Sequence, residues 1–158
     1  MRFLMIPMQF PLAPGQSYLT TELAEALREA GHEVEVLYLD WSGRGGPVEE
    51  LRTASGIRVL RCPARQVRGF GGFVRHASKF LLSGRAVAAA ARRHVALDRF
   101  DALIAWMPAM AIAPLLPLIR RAGIAQRHLL IWDFFPDHHR EIGRVPPGMP
   151  FRLARRWE

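Results

Sequence analysis

Apolar and polar positions change period repeatedly along the chain. Arg2–Pro7 (RFLMIP) is a short apolar run and reads as a buried strand. A Pro/Gly loop, Phe10–Gln16, follows it. Leu19, Leu23, Ala26, Leu27 and Ala30 then recur at helical spacing and predict a helix over Ser17–Ala30, with Glu22, Glu25, Arg28 and Glu29 off the apolar stripe. Gly31 stands where a C-terminal cap belongs. Glu33–Leu39 (EVEVLYL) reads as a second strand. A strand, loop, helix and strand within 40 residues favour parallel pairing through a right-handed crossover.

The pattern continues in the same sense. Ser42–Pro47 reads as a flexible loop and Gly56–Cys62 as a third strand. Phe70–Leu97 predicts a helix broken near Ser83–Gly84, Asp101–Trp106 a strand, and Ala109–Arg121 a helix ended by Gly123. His128–Trp132 predicts a further strand, Asp133–Gly148 a loop, and Phe151–Glu158 an amphipathic, Arg-rich segment with no identifiable packing partner. Strands alternating with helices point to α/β: a Rossmann-like, doubly wound parallel sheet with helices on both faces. No fixed-period repeat interrupts it.

Composition narrows the class. A chain of 158 residues makes about one domain, on a scale of ~100–200 residues each. Half the residues are hydrophobic and the mean hydropathy is +0.04, which excludes a disordered chain. Cys62 is the single cysteine, so neither an internal disulfide nor a thiolate cluster can form; it reads as a small buried hydrophobe. Pro7, Gln9 and Pro11 interrupt the opening apolar stretch too early for a signal peptide. Ala102–Ile119 carries no charge over 18 residues, but Pro108, Pro114 and Pro117 favour a buried strand, turn and helix over a membrane span.

The net charge of +8 first suggests nucleic acid. Yet 21 of the 22 basic residues are Arg, Lys79 is the only Lys, and Asn is absent. This reads as the imprint of a GC-rich genome, so part of the basic excess carries no function. The distribution is more specific: no acidic residue lies between Glu50 and Asp98, a stretch that includes Arg75, Lys79 and Arg85 beside Phe73, Phe80 and Leu81. A basic amphipathic helix of this kind suits an anionic membrane surface, nucleic acid, or simply solvent. No nucleic-acid motif accompanies it.

Two segments carry candidate chemistry. The first is the loop after the first strand, Pro7–Ser17. Ligands of open α/β sheets sit at the carboxyl ends of strands, and Gly15 allows close backbone approach by a phosphate or sugar. The loop matches neither G-x-G-x-x-G nor a P-loop, which disfavours NAD binding and P-loop chemistry. The second follows the last strand: Asp133, Asp137, His138, His139 and Glu141 fall within nine residues, beside Trp132, Phe134 and Phe135. Carboxylates there can bind sugar hydroxyls or take a proton, with the aromatics as an apolar wall. A metal site is the weakest reading, because adjacent histidines rarely converge on one ion. The same residues also read as a helix starting at Asp137 with solvated histidines, and the residues alone leave both open.

The opening RFLMIPMQFPLAPGQSYLTTELAEALREAGHEVEVL, with its Gly31-His32-Glu33-Val34 turn, resembles the first β–α–β unit of family 4 glycosyltransferases. Asp101–Pro114 resembles that family's later strand and helix, and LLIWDFFPDHHREIGRVPPG resembles a loop of exopolysaccharide-type members, including the colanic-acid group. The resemblance covers nearly the whole chain. It implies one half of a GT-B enzyme, in which two Rossmann-like domains face a cleft. Residues 1–148 then form the N-terminal acceptor-side domain, and 149–158 begin a connecting helix toward a C-terminal donor domain, in the same chain or a separate one.

The implied reaction moves a sugar from a nucleotide sugar to a glycan or lipid-linked acceptor. It needs no metal and no cofactor beyond the nucleotide-sugar co-substrate. The implied location is cytoplasmic, peripheral at the inner membrane face, with Arg75, Lys79 and Arg85 toward the membrane. By motif, Gly15 and Gln16 approach the donor phosphates, Asp133 and His138 are the catalytic candidates, and Asp137, His139 and Glu141 bind acceptor or phosphate. Many members have His where this chain has Asp133. The family's Glu-x7-Glu motif belongs to the donor domain; Glu25 and Glu33 share its spacing by chance. The chain alone is therefore expected not to transfer sugar. Rival expectations are a non-catalytic basic binding module for anionic membrane or nucleic acid, and a small hydrolase or metalloenzyme built on Asp133–Glu141. With the transferase reading, no nucleic-acid partner is expected.

Overall fold

A computed structural model describes residues 1–13, 15–42, 46–65, 72–106, 111–131, 136–143 and 145–157, without the side chains of 72–77, 80, 81 and 157. Six strands form one sheet: β1 (Arg2–Ile6), β2 (Glu33–Asp40), β3 (Glu49–Arg52), β4 (Arg58–Pro63), β5 (Ala102–Trp106) and β6 (Gln126–Leu130), in the order β3-β4-β2-β1-β5-β6. All pairings are parallel except β3 with β4. The central strand β1 pairs Phe3 with Val34 on one side and with Ala102 on the other.

Helices cover both faces, which is why β1 and β5 are almost continuously apolar. On one face Leu4, Ile6, Leu37, Leu39, Leu60 and Leu103 pack under α2 (Gly72–His94), α3 (Leu116–Arg121) and α5 (Met149–Trp157). On the other, Met5, Val36, Val59, Ile104 and Trp106 pack with Phe10 and with Ala24 of α1 (Leu19–Glu29). The doubly wound, Rossmann-like α/β sandwich is the architecture the alternating pattern predicts.

Local rules account for α1. The Tyr18 N–H donates to Thr21 Oγ1 at 2.9 Å, and that hydroxyl donates back to the Tyr18 carbonyl at 2.7 Å, closing the first turn. Gly31, at φ +82°, ends the helix, where the His32 N–H reaches the Leu27 carbonyl.

The structure corrects several expectations. β3 is a strand although three of its four residues are charged; it is held to β4 by cross-strand pairs, Arg58–Glu50 at 2.7 Å and Arg61–Glu49 at 2.8 Å. α2 runs unbroken through Ser83 and Gly84. There the helix makes a close approach: a Cβ on Gly84 would meet the Ala111 carbonyl oxygen at 2.6 Å and Pro114 at 3.0 Å. The helix expected over Ala109–Arg121 is a 3-10 turn, Ala113–Leu115, leading into the six residues of α3, because Pro114 and Pro117 remove backbone donors. β6 starts two residues earlier than the apolar run suggests, and Trp132 lies outside the described residues. The last segment has a packing partner after all: Phe151 is buried in the α2-side core, and Arg140 stacks on its ring at 4.4 Å.

Candidate functional site

Parallel strands place their ends together. β1, β2, β4, β5 and β6 finish at Ile6, Asp40, Pro63, Trp106 and Leu130 along one edge of the sheet. The loops after β1 and β6, where the sequence places its candidate chemistry, leave this edge two strand spacings apart, about 10 Å.

The β1–α1 loop is anchored at its start and open at its tip. The Leu39 N–H donates to the Pro7 carbonyl at 3.0 Å, Phe10 is buried against Tyr38, and Thr20 Oγ1 donates to the Gln9 carbonyl at 2.5 Å. The chain then turns through Ala13–Gln16, with the Gln16 N–H on the Ala13 carbonyl at 3.1 Å. Gly15 sits at φ +76°, a left-handed conformation that favours glycine, and a Cβ there would meet nothing within 4 Å. Gly15 and Gln16 are both exposed. The α1 N-terminus already carries an anion: Glu22 accepts from Ser17 Oγ at 2.6 Å.

Beyond β6, position 133 lies outside the described residues. The chain is described again at a short helix, α4 (Asp137–Glu141). Locally, the helix-start reading of Asp137 is the one observed. His138 and Glu141 are exposed, while Asp137 and His139 are half-buried. The two imidazole rings stand edge-on with centroids 6.0 Å apart, as expected for neighbours about 100° apart around a helix. Among the described residues no group of three His, Cys, Asp or Glu is placed to hold a metal ion.

A network that sequence reasoning missed sits at the tip of β2. Asp40 is 3% exposed and accepts from the Ser42 N–H at 2.8 Å, from Ser42 Oγ at 3.1 Å, and from Arg61 Nε and Nη2 at 2.8 and 2.5 Å. In dinucleotide-binding folds an acid in this region takes a ribose hydroxyl. Here Arg61 and Ser42 occupy the carboxylate. Burial pushes the Asp40 carboxyl up, but the bonds from Ser42 and Arg61 outweigh it and hold it below the usual carboxylate range. Burial, and then the Asp40 charge, push the Tyr38 phenol up to about 12. The sequence signal is slight: a lone acid closing an apolar strand.

α2 begins at the same edge. Ser83 Oγ accepts from the Arg65 N–H at 3.0 Å and donates to its carbonyl at 3.3 Å, which sets residue 83 level with the chain just past β4. The eleven residues before it, 72–82, therefore rise about 16 Å above the edge as a side wall. Lys79 on this wall does not project outward: its Nζ donates to the Trp41 carbonyl at 3.0 Å and lies 4.9 Å from that ring's centroid. Desolvation lowers its pKa, with the Asp40 charge opposing. The membrane-facing expectation for Lys79 is thus replaced by an internal clamp on the β2–β3 loop. Arg85 is exposed, and the Arg75 side chain lies outside the described residues.

The model of the Glycosyltransferase Family 4 domain matches residues 14–157. The chain belongs to glycosyltransferase family 4. No curated protein matches it in sequence. The match begins part-way through the β1–α1 loop, at residue 14, and runs into α5, so it takes in Gly15, Gln16 and everything after β6 up to residue 157. For a family 4 glycosyltransferase domain the substrates are a nucleotide sugar and an acceptor. The edge offers them an exposed glycine backbone at Gly15, the Gln16 amide and the half-buried or exposed groups of α4. Among the described residues, no helix of this domain is long and apolar enough to cross a membrane.

Proposed function

We propose that this chain is the N-terminal, acceptor-side half of a GT-B glycosyltransferase of the exopolysaccharide type, transferring a hexose from a nucleotide sugar to a glycan or lipid-linked acceptor. Residues 1–148 form the acceptor-side domain, and 149–158 lead toward a donor-binding domain that transfer requires. The nucleotide sugar is a co-substrate; no metal or other cofactor takes part. The carrying observation is the open left-handed turn at Gly15, two strand spacings from the carboxyl end of β6, on one edge of a parallel sheet.

In this reading the Gly15 backbone and Gln16 lie against the donor phosphates. Asp133 and His138 orient the acceptor hydroxyl and take up its proton as the glycosidic bond forms. Asp137, His139 and Glu141 bind acceptor hydroxyls or phosphate. The basic residues of α2, Arg75 and Arg85 among them, hold the protein at the cytoplasmic face of an anionic membrane.

The test is a transferase assay on this chain, alone and with a family 4 donor domain supplied in cis or in trans. The expected result is no turnover alone and turnover with the donor domain. Robust transfer by the chain alone refutes the need for a second domain. Unchanged kcat and KM in the active assembly carrying Asp133→Ala and His138→Ala refutes the residue assignment.

A further inference from the structure

A groove on the outer flank of the molecule carries charge that the transferase site does not use. It lies between α2 and the β3–β4 edge, with a volume of about 380 Å³. That falls within the range of small-ligand sites, roughly 300–1,000 Å³. Arg65, Arg85 and Arg93 line it, all exposed, and none of the three guanidinium groups has an ion-pair or hydrogen-bond partner among the described residues. Ala86, Ala89 and Val48 supply an apolar floor, and among the described residues no carboxylate lines the groove. Two arginines of the neighbouring strand β4 are by contrast ion-paired: Arg58 with Glu35 and Glu50, Arg61 with Asp40 and Glu49. The three groove arginines are therefore a concentration of unneutralised, desolvable forks around a greasy floor.

We propose that this groove binds the phosphate headgroup of an anionic phospholipid, with Arg65, Arg85 and Arg93 as its ligands. The inference deepens the membrane-docking reading above and names the site that does it. Guanidinium forks match phosphate oxygens in pairs, which favours phosphate over a diffuse anionic field. The alanine and valine floor suits the glycerol and upper acyl carbons of a lipid. Nucleic acid is the weaker occupant, because among the described residues no Phe, Tyr or Trp lines the groove and His94 is the one aromatic ring there to stack a base. The groove opens at the β3 edge of the sheet, three strands from β1, so a lipid held there leaves the Gly15 loop free for the sugar substrates.

The experiment measures binding of the full chain to vesicles of phosphatidylcholine, alone or mixed equally with phosphatidylglycerol, and to a soluble short-chain phosphatidylglycerol. Arg65→Gln/Arg85→Gln/Arg93→Gln is compared with a charge-matched control, Arg120→Gln/Arg121→Gln/Arg152→Gln. Thermal melts check that both triples keep the fold. Each arginine at an anionic surface changes partitioning about fivefold, so the groove triple should bind mixed vesicles about 100-fold more weakly. The control should stay within about tenfold of the parent, and short-chain lipid should bind the parent but not the groove triple.

Equal loss in both triples means that net charge alone binds, and overturns the site. Undiminished vesicle binding by the groove triple overturns the site and leaves membrane docking standing, whereas no vesicle binding by the parent overturns both. Inorganic phosphate competing as well as the short-chain lipid overturns the lipid assignment, as does tighter binding of a single-stranded oligonucleotide than of mixed vesicles. None of these readouts depends on sugar transfer, so the site and the transferase reading fail separately.

Discussion

Gly84→Ala tests how α2 is seated against the sheet. In an ordinary helix interior this change is favourable by about 0.5–1 kcal/mol, because alanine restricts the unfolded chain and glycine does not. Here a Cβ would stand 2.6 Å from the Ala111 carbonyl oxygen and 3.0 Å from two Pro114 ring carbons. Neither neighbour is the free end of a flexible side chain. One is backbone and the other a fixed ring, so α2 or the segment after β5 must shift. Overpacking of this kind costs typically about 1–3 kcal/mol. Set against the propensity gain, the net loss is about 1–2 kcal/mol, and at about 2–4 °C per kcal/mol for a chain of this length the midpoint falls by about 2–8 °C. Thermal and urea melts of the parent and Gly84→Ala measure it directly. A midpoint unchanged or raised would refute the close approach and restore Ser83–Gly84 as a locally weak point of the helix.

Three further outcomes follow from the same geometry. Asp40→Asn should lose about 1–3 kcal/mol at neutral pH by urea melts, since Arg61 loses the more buried of its two charged partners. Because the folded-state pKa of Asp40 is lowered, its contribution is complete above the unfolded value near 3.9 and disappears as pH falls through the folded value; the variant should therefore show a flatter acid limb below about pH 5 than the parent. Cys62 is 1% exposed and burial pushes its thiol up to about 12, so at pH 8 only about one molecule in 10,000 carries the thiolate, and an aromatic disulfide reagent should react with it only on unfolding. Gly15→Ala should cost about 1–2 kcal/mol for the left-handed turn without any clash, and in an assembly with a donor domain should raise KM for the nucleotide sugar; unchanged stability would refute the turn.

The sequence made the first half of the fold readable because its signals there are local. The apolar stripe of α1, Gly31 at its end and the runs of β1 and β2 give those elements to within about two residues at either end. The errors share one cause, which is information held between segments. Glu49–Arg52 has no apolar pattern and draws no element from the sequence; only the register with Arg58–Arg61 supplies its charges with partners of opposite sign. Ser83–Gly84 looks like a helix break, yet the small side chains are there to let Arg65 and Ala111 come close. β6 begins at Gln126 because its pairing with Ala102 sets the register, while four of its five residues stay exposed and offer no burial pattern to read. The site divides the same way. Gly15 was legible as a loop glycine beside a strand end. Asp40 was not, because its meaning depends on Arg61, which approaches from the neighbouring strand where Tyr38 and Arg61 stand in register.

The state of Asp40 also bears on what the carboxyl edge can hold. A sugar-nucleotide donor brings two phosphate charges that must be neutralised as the sugar departs. Around the tip of β2 the two cations Arg61 and Lys79 are both engaged: Arg61 by Asp40 and Glu49, Lys79 by the Trp41 carbonyl and ring. Releasing Arg61 to a phosphate would strip a buried carboxylate of its main partner, which is costlier than leaving the pair intact. Releasing Lys79 would free the β2–β3 loop from the α2 wall. Around the β1–α1 loop, what the edge presents without such rearrangement is neutral or acidic: the Gly15 backbone, the Gln16 amide, and Glu22 at the first turn of α1. Such a surface can give the donor phosphates backbone and amide hydrogen bonds but no neutralising cation. The positive charge that draws off the leaving nucleotide is then expected from a facing surface, and that is the physical ground for proposing that transfer by this domain requires a donor-binding partner.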